Sequence, residues 1–148
     1  MSRTLLQRFL GFIVGLIAAG ALVVGVEFFS EAVYPLPKEV HELKGEAFYE
    51  AVCQHVAGYP HWILGVVVLL WGAAISIGVG LATFIGGRVP GVILGILLFL
   101  MLLMNVWGMG LPYPLWFKVV ELVTFPLFFL AGLYFQRTKR PEALAQAA

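Results

Sequence analysis

Charged residues are scarce in this sequence. They make up 11% of its 148 residues, whereas soluble domains average about 25%. Hydrophobic residues reach 61%, and the mean hydropathy is +0.98. A soluble chain of this length could not bury so much apolar surface. The composition therefore predicts an integral membrane protein with a single domain.

The chain also lacks the features of several functional classes. Its single cysteine, Cys53, excludes an intrachain disulfide. A net charge of +1 provides no basic surface for binding nucleic acid. There is no P-loop, dinucleotide fingerprint or Gly-x-Ser-x-Gly sequence. We therefore expect a non-enzymatic protein without a nucleic-acid partner.

Metal ligands are equally sparse. The three histidines, His41, His55 and His61, include no pair with the i, i+4 spacing that brings two rings onto one metal ion. No apolar run carries a histidine in its interior, and there is no Cys-x-x-Cys-His sequence for attaching haem. The sequence predicts neither a metal site nor another cofactor.

Four apolar runs are long enough to cross a bilayer, which takes roughly 20 residues in a helix. They cover about residues 5–29, 61–85, 89–109 and 115–135. Membrane β-strands are shorter and alternate in polarity, so these runs predict helices. The first run also has features of a signal peptide, but its apolar character continues past Ala21. The predicted fold is all-α, with four transmembrane helices in two hairpins.

Lysine and arginine near the ends of the spans predict the orientation. The side with both termini carries six of them: Arg3, Arg8, Arg88, Arg137, Lys139 and Arg140. The other side carries Lys38, Lys44 and Lys118. The positive-inside rule therefore places both termini in the cytoplasm.

In the outer loop, residues 30–60, the segment 45–56 has helical amphipathic spacing. We expect this helix to lie on the membrane surface or cap the bundle.

The two halves of the chain show a weak internal repeat. Gly11 and Gly15 in the first span correspond to Gly91 and Gly95 in the third. The Tyr-Pro-Leu sequence beginning at Tyr34 occurs again later in the chain, after the third span. This pattern predicts two hairpins related by an axis along the membrane normal, although chance matching of glycines is the alternative.

The chain resembles an uncharacterised family of small four-helix bacterial inner-membrane proteins. The resemblance rests on Glu27 followed by the Tyr-Pro-x-Pro turn at 34–37, and on Asn105 followed by Pro-Tyr-Pro-Leu-Trp at 112–116. It implies four helices and a multi-pass location in the bacterial inner membrane. It implies no activity, and the charged outer loop is longer than expected for the family.

Small residues recur at four-residue spacing in three of the spans. The candidate helix-packing positions are Gly11, Gly15, Gly72, Ser76, Gly80, Gly87, Gly91 and Gly95. Helices associate in lipid through close backbone contact, which such residues permit. The stripes predict packing within the bundle, and any surplus stripe would face a pore or a second protein.

Polar residues inside the spans lie near the outer side only. The candidate polar cluster is Glu27, His61, Asn105, Lys118 and Glu121. Charge at membrane depth is normally paired or functional. We expect either a polar pocket open to the periplasm or a structural network in which Lys118 pairs with Glu121.

Two functions from different classes fit these patterns. The first is an accessory or structural subunit of a larger membrane complex, or a homo-oligomer, whose partners are the lipid bilayer and other membrane subunits or copies of itself. The alternative is a small channel or transporter that uses the outer polar pocket. A conducting path needs polar groups through both leaflets, and the cytoplasmic half offers only Ser76 and Thr83.

Overall fold

The computed structural model describes residues 4–134, and these residues form helices and connecting loops. The elements are α1 (Leu5–Val33), a short 3-10 helix (Lys38–Glu42), α2 (Gly45–Ala57), α3 (His61–Gly86), α4 (Arg88–Leu103), a π-helical segment (Met104–Gly108) and α5 (Leu115–Tyr134). Four helices are long and apolar enough to cross a membrane: α1, α3, α4 with its π-helical segment, and α5. The predicted spans and the helix at 45–56 are confirmed as helices. Part of the last predicted span, residue 135, lies outside the described residues, as do Arg3, Arg137, Lys139 and Arg140.

The first helix is four residues longer than the predicted span. It begins with a capping box, in which the Thr4 hydroxyl accepts a hydrogen bond from the Gln7 amide and the Gln7 side chain accepts one from the Thr4 amide. It ends before the extended Tyr34-Pro35 dipeptide, because a residue that precedes proline avoids the helical region.

The central element is α3, which packs against α1, α4 and α5. Of its most apolar stretch, 61% is buried, compared with 22% for both α1 and α5. Small residues at many of its positions allow three neighbours to approach one helix closely.

The contact between α1 and α3 is the most extensive between any two helices of the described chain. Gly11, Gly15 and Ala19 of α1 run antiparallel to Gly78, Ala82 and Gly86 of α3. A β-carbon added at Gly15 would lie 2.5 Å from the Gly78 carbonyl oxygen, and one at Gly11 would lie 2.5 Å from the Gly86 nitrogen. The backbones therefore touch, with small residues four apart on both helices.

Other small residues accommodate side chains of a neighbouring helix. Gly72 lies under the Phe128 ring, Gly95 under the Phe129 ring, and Gly91 under the Thr83 side chain. Ser76 donates a hydrogen bond of 2.8 Å to the Phe128 carbonyl. Gly80 is also buried in α3.

Gly87 has a different role from the helix-packing one expected for it. It is the one-residue turn between α3 and α4, with φ of 91°. Residues with a β-carbon rarely adopt a backbone conformation with such a positive φ. Gly87 is therefore needed for the turn.

Sequence reasoning missed three other close-packed glycines, Gly78, Gly86 and Gly132. A β-carbon added at any of them would lie within 3.0 Å of a neighbouring residue.

The two ends of the bundle differ. We call the end with Thr4 and Gly87 the turn end, and the end with residues 34–60 and 109–114 the loop end. At the loop end, the Tyr49 hydroxyl of α2 donates a hydrogen bond of 3.0 Å to the Met109 carbonyl. The His55 ring of α2 stacks on Tyr34 with centroids 4.5 Å apart. These two contacts attach α2 to the ends of α1 and of the π-helical segment.

Candidate functional site

A small cavity at the loop end is the candidate site. It offers about 40 Å³ to the centres of water molecules, and about 10–15 Å³ is enough for one water. Its lining residues come from α1, α3, α5 and the two loops that precede α3 and α5: Val26, Glu27, Ser30, Tyr59, Leu64, Val67, Trp71, Tyr113 and Phe117. It therefore has space for roughly three waters.

The α1 side of the cavity carries its only ionisable carboxyl group. Val26 points into the core with 5% of its surface exposed. The next residue, Glu27, lines the cavity while remaining exposed at its edge. Ser30, three residues later, lies on the same side of the helix and also lines the cavity. One face of α1 thus presents a carboxylate and a hydroxyl to the same small volume.

Two tyrosines reach the cavity from equivalent places in the sequence. Tyr59 precedes Pro60 and the start of α3, and Tyr113 precedes Pro114 and the start of α5. Proline holds the preceding residue in an extended conformation and suits the first positions of a helix. Each Tyr-Pro dipeptide therefore ends a loop and begins a helix at the same end of the bundle.

Both phenols are held in their neutral form. The pKa of Tyr113 is raised from 10.0 to about 12, mainly by burial and to a smaller extent by the nearby Glu27 and Tyr59. Burial also raises the pKa of Tyr59, with added effects from Glu27 and Glu31, while the neighbouring Ser30 hydroxyl acts in the opposite direction. At neutral pH each hydroxyl can donate one hydrogen bond and accept others.

Trp71 of α3 forms part of the cavity wall. Only 7% of its surface is exposed, and its indole N–H is buried without a hydrogen-bond partner. Its ring lies 6.3 Å from the ring of Phe117, which also lines the cavity. An indole nitrogen can only donate, and leaving a buried donor unpaired costs about 1–3 kcal/mol. The cavity wall therefore includes a residue with a buried donor that has no acceptor among residues 4–134.

An aromatic cluster holds Tyr59 in place at the loop end. Its ring lies 5.0 Å from Tyr34 and 5.5 Å from His55, measured between centroids. His55 Nε2 also lies 3.2 Å from the Tyr34 carbonyl oxygen. These residues come from the end of α1, from α2 and from the segment just before α3. The cluster therefore connects Tyr59, which lines the cavity, to the elements on either side of it.

The candidate polar cluster is spread over the loop end. Of its five members, only Glu27 lines the cavity. His61 is exposed and meets Trp116 edge-on at 5.6 Å. Lys118 is half-buried, and Asn105 belongs to the π-helical segment. No hydrogen bond or ion pair within residues 4–134 joins any two of these five side chains.

Glu121 is the most deeply placed acid of the described chain. It is 2% exposed and lies on the inward face of α5, one turn from Phe117 and from Phe125. One of its carboxyl oxygens, Oε1, has no hydrogen-bond partner, and the same is true of Oδ1 of Asn105. The pairing of Glu121 with Lys118 that the i, i+3 spacing allows is not formed. Glu121 is therefore inside the bundle but is not among the residues that line the cavity.

The described residues in the turn-end half of the bundle include a tightly packed apolar core. Val79, Ala82 and Leu94 are completely buried there. Thr83 is also completely buried, and its hydroxyl lies against Gly91 without a hydrogen-bond partner. The cavity at the loop end therefore has no polar continuation through this half among the described residues.

Sequence reasoning found Glu27 but missed the residues that share its cavity. Tyr59 and Tyr113 look like members of an aromatic belt, and Trp71 looks like core. The repeated Tyr-Pro dipeptide before two helices was the available signal.

No group of three His, Cys, Asp or Glu side chains in residues 4–134 is arranged to hold a metal ion. No protein-family model, curated protein or solved structure matches this chain.

Proposed function

We propose that this chain is a non-enzymatic membrane protein that acts as a structural or accessory subunit of a larger assembly, formed with other membrane proteins or with copies of itself. The observation that carries the proposal is a pair of small residues on the outer surface of α1. Ala21 and Gly25, four residues apart, are both exposed, and an added β-carbon at Gly25 would meet nothing within 4 Å.

This exposed pair contrasts with the glycines used inside the bundle. Gly11 and Gly15 of the same helix already contact the backbone of α3. Helix association in lipid depends on small residues that let backbones approach. Ala21 and Gly25 provide a second such surface, which supports contact with a helix from another chain.

The test is the size of the protein after extraction in a mild detergent. We expect wild type to run as a homo-oligomer or a complex of defined stoichiometry by size-exclusion chromatography with light scattering. Gly25→Leu should dissociate it, because a large side chain blocks close approach. Val24→Leu is the matched control, since Val24 is 53% exposed and already large. A monomeric wild type, or a Gly25→Leu protein of unchanged size, would contradict the proposal.

The second candidate is a small channel or transporter, and the polar cavity at the loop end is the observation that favours it. The apolar packing of Val79, Ala82 and Leu94 in the turn-end half argues against a pore through a single chain, because transport needs polar groups through both leaflets. Ion flux into proteoliposomes containing the purified protein separates the two candidates. Flux above that of empty vesicles, lost in Glu27→Gln, would favour transport.

We also propose that the protein belongs to the bacterial inner membrane with both termini in the cytoplasm, as a member of the small four-helix family that it resembles. The parallel repeat of two hairpins is part of the same proposal. The excess of Lys and Arg on the side of the termini supports the orientation. A membrane-impermeant thiol reagent applied to the outer face should label Cys53 in wild type. It should leave Val89→Cys unlabelled when Cys53 is replaced by serine, since Val89 is exposed at the turn end.

A further inference from the structure

We propose that the loop-end cavity binds a small primary ammonium group with an oxygen atom two carbons away. Free ethanolamine and the ethanolamine headgroup of a phospholipid share this chemistry. The inference concerns the interior of one chain and does not depend on the oligomeric state.

The charge of the lining selects a cation. Glu27 is the only acidic residue among the described residues that line the cavity, and no Lys, Arg or His is among them. A carboxylate therefore faces the volume with no basic group to balance it. Four aromatic residues, Tyr59, Trp71, Tyr113 and Phe117, form much of the remaining wall. Aromatic faces attract cations, most strongly where water is excluded.

The volume of the cavity favours a ligand with a small head group. Space for roughly three waters suits a chain of three or four non-hydrogen atoms. A trimethylammonium head, with four carbons around one nitrogen, already has more non-hydrogen atoms than this volume suits. A primary ammonium is narrower and has three N–H donors. Acceptors for them lie in the lining as the Glu27 carboxylate and the hydroxyls of Ser30, Tyr59 and Tyr113.

The unpaired indole N–H of Trp71 accounts for the oxygen in the proposed ligand. A simple alkylammonium ion would leave this buried donor unsatisfied. A short ligand that carries an oxygen as well as its ammonium nitrogen offers an acceptor to this wall of the cavity and a cation to Glu27. The ligand thus needs a cation at one end and an acceptor at the other.

The depth of the cavity is compatible with a lipid source. At about 1.5 Å per residue, Glu27 lies about 33 Å along α1 from Leu5. The hydrocarbon core of a bilayer is about 30 Å thick. The exposed edge of Glu27 is therefore at the level of the headgroups, where both a lipid and a dissolved amine can reach it.

The experiment measures the thermal unfolding midpoint of the purified full-length protein in detergent. The probes are dioleoyl phosphatidylethanolamine, dioleoyl phosphatidylcholine, free ethanolamine and free choline, each titrated separately. We expect phosphatidylethanolamine or ethanolamine to raise the midpoint of wild type in a saturable manner, and both choline compounds to be at least tenfold weaker. A response to the lipid alone identifies a headgroup site, whereas a response to free ethanolamine identifies a soluble ligand.

Two variants test the assigned residues. Glu27→Gln should weaken the apparent affinity at least tenfold, while Glu31→Gln, an exposed carboxyl on the same helix that does not line the cavity, should leave it unchanged. Trp71→Phe keeps a ring in the wall, removes the N–H, and should weaken binding severalfold. The proposal is overturned if the ethanolamine and choline compounds act equally, if neither ethanolamine compound shifts the midpoint, or if Glu27→Gln and Glu31→Gln respond alike.

Discussion

Gly15→Ala is expected to destabilise the bundle far more than its size suggests. Three helices meet at this position. An added β-carbon would lie 2.5 Å from the Gly78 carbonyl oxygen of α3, and 2.8 Å from Ala82 of α3 and from Leu94 of α4. A carbon atom needs about 3.5–4.0 Å from such neighbours. The backbones must therefore separate by roughly 1 Å, which is the overpacking that typically costs about 1–3 kcal/mol.

Gly20→Ala on the same helix is the matched control. An added β-carbon there meets nothing within 4 Å, so the higher helix propensity of alanine should leave stability unchanged or raise it by up to about 1 kcal/mol. Thermal unfolding in one detergent, followed by circular dichroism, compares the two variants directly. We expect Gly15→Ala to unfold several degrees below Gly20→Ala. Equal midpoints would show that α1 and α3 are not in backbone contact.

Three further predictions concern other buried positions. Gly91→Leu should lower the free energy of unfolding by about 1–3 kcal/mol, as overpacking typically does, because Thr83 occupies that space. The unfolding midpoint should fall with it, and an unchanged midpoint would place Gly91 against lipid. Glu121→Leu and Glu121→Gln should both change the free energy of unfolding by no more than about 1 kcal/mol, since neither change breaks a hydrogen bond of the carboxyl group. A large loss in both would reveal a hydrogen-bonded network around Glu121. The pKa of Tyr113 is raised from 10.0 to about 12 in the folded protein, so its contribution to stability is complete below pH 10 and is lost as the pH rises towards 12. Unfolding midpoints measured from pH 8 to 12 should fall less steeply for Tyr113→Phe, and equal slopes would contradict the burial of this phenol.

The transmembrane helices could be predicted because lipid imposes a length and an apolar composition on each one. The short helix at 45–56 could be predicted from its amphipathic spacing, and its predicted end lies one residue before the end of α2. The partners of each small stripe could not be predicted in this way. On α3, Gly72, Ser76 and Gly80 have the same spacing as Gly78, Ala82 and Gly86, and spacing alone does not show which stripe faces α1.

The cavity was beyond sequence reasoning for a related reason. Its polar groups come from positions as distant as Glu27 and Tyr113, and only the packing of α1 and α5 against α3 brings them together. Trp71 is apolar by composition, so nothing in its sequence context marks its N–H as unpaired. The depth of Glu121 was predictable, since it lies about two turns into an apolar run. Its separation from Glu27 depends on which faces the helices present to one another.

The one-residue turn at Gly87 has a consequence for biogenesis. Because a single residue separates α3 from α4, neither helix can take a position in the membrane far from the other, and we expect the two to insert together as one hairpin. That hairpin carries the Gly78–Gly86 surface on which α1 packs. The first helix therefore gains its main partner only once synthesis has passed the end of α4 at Leu103, residue 103 of 148. Until then its glycine face is open to any other helix in the membrane.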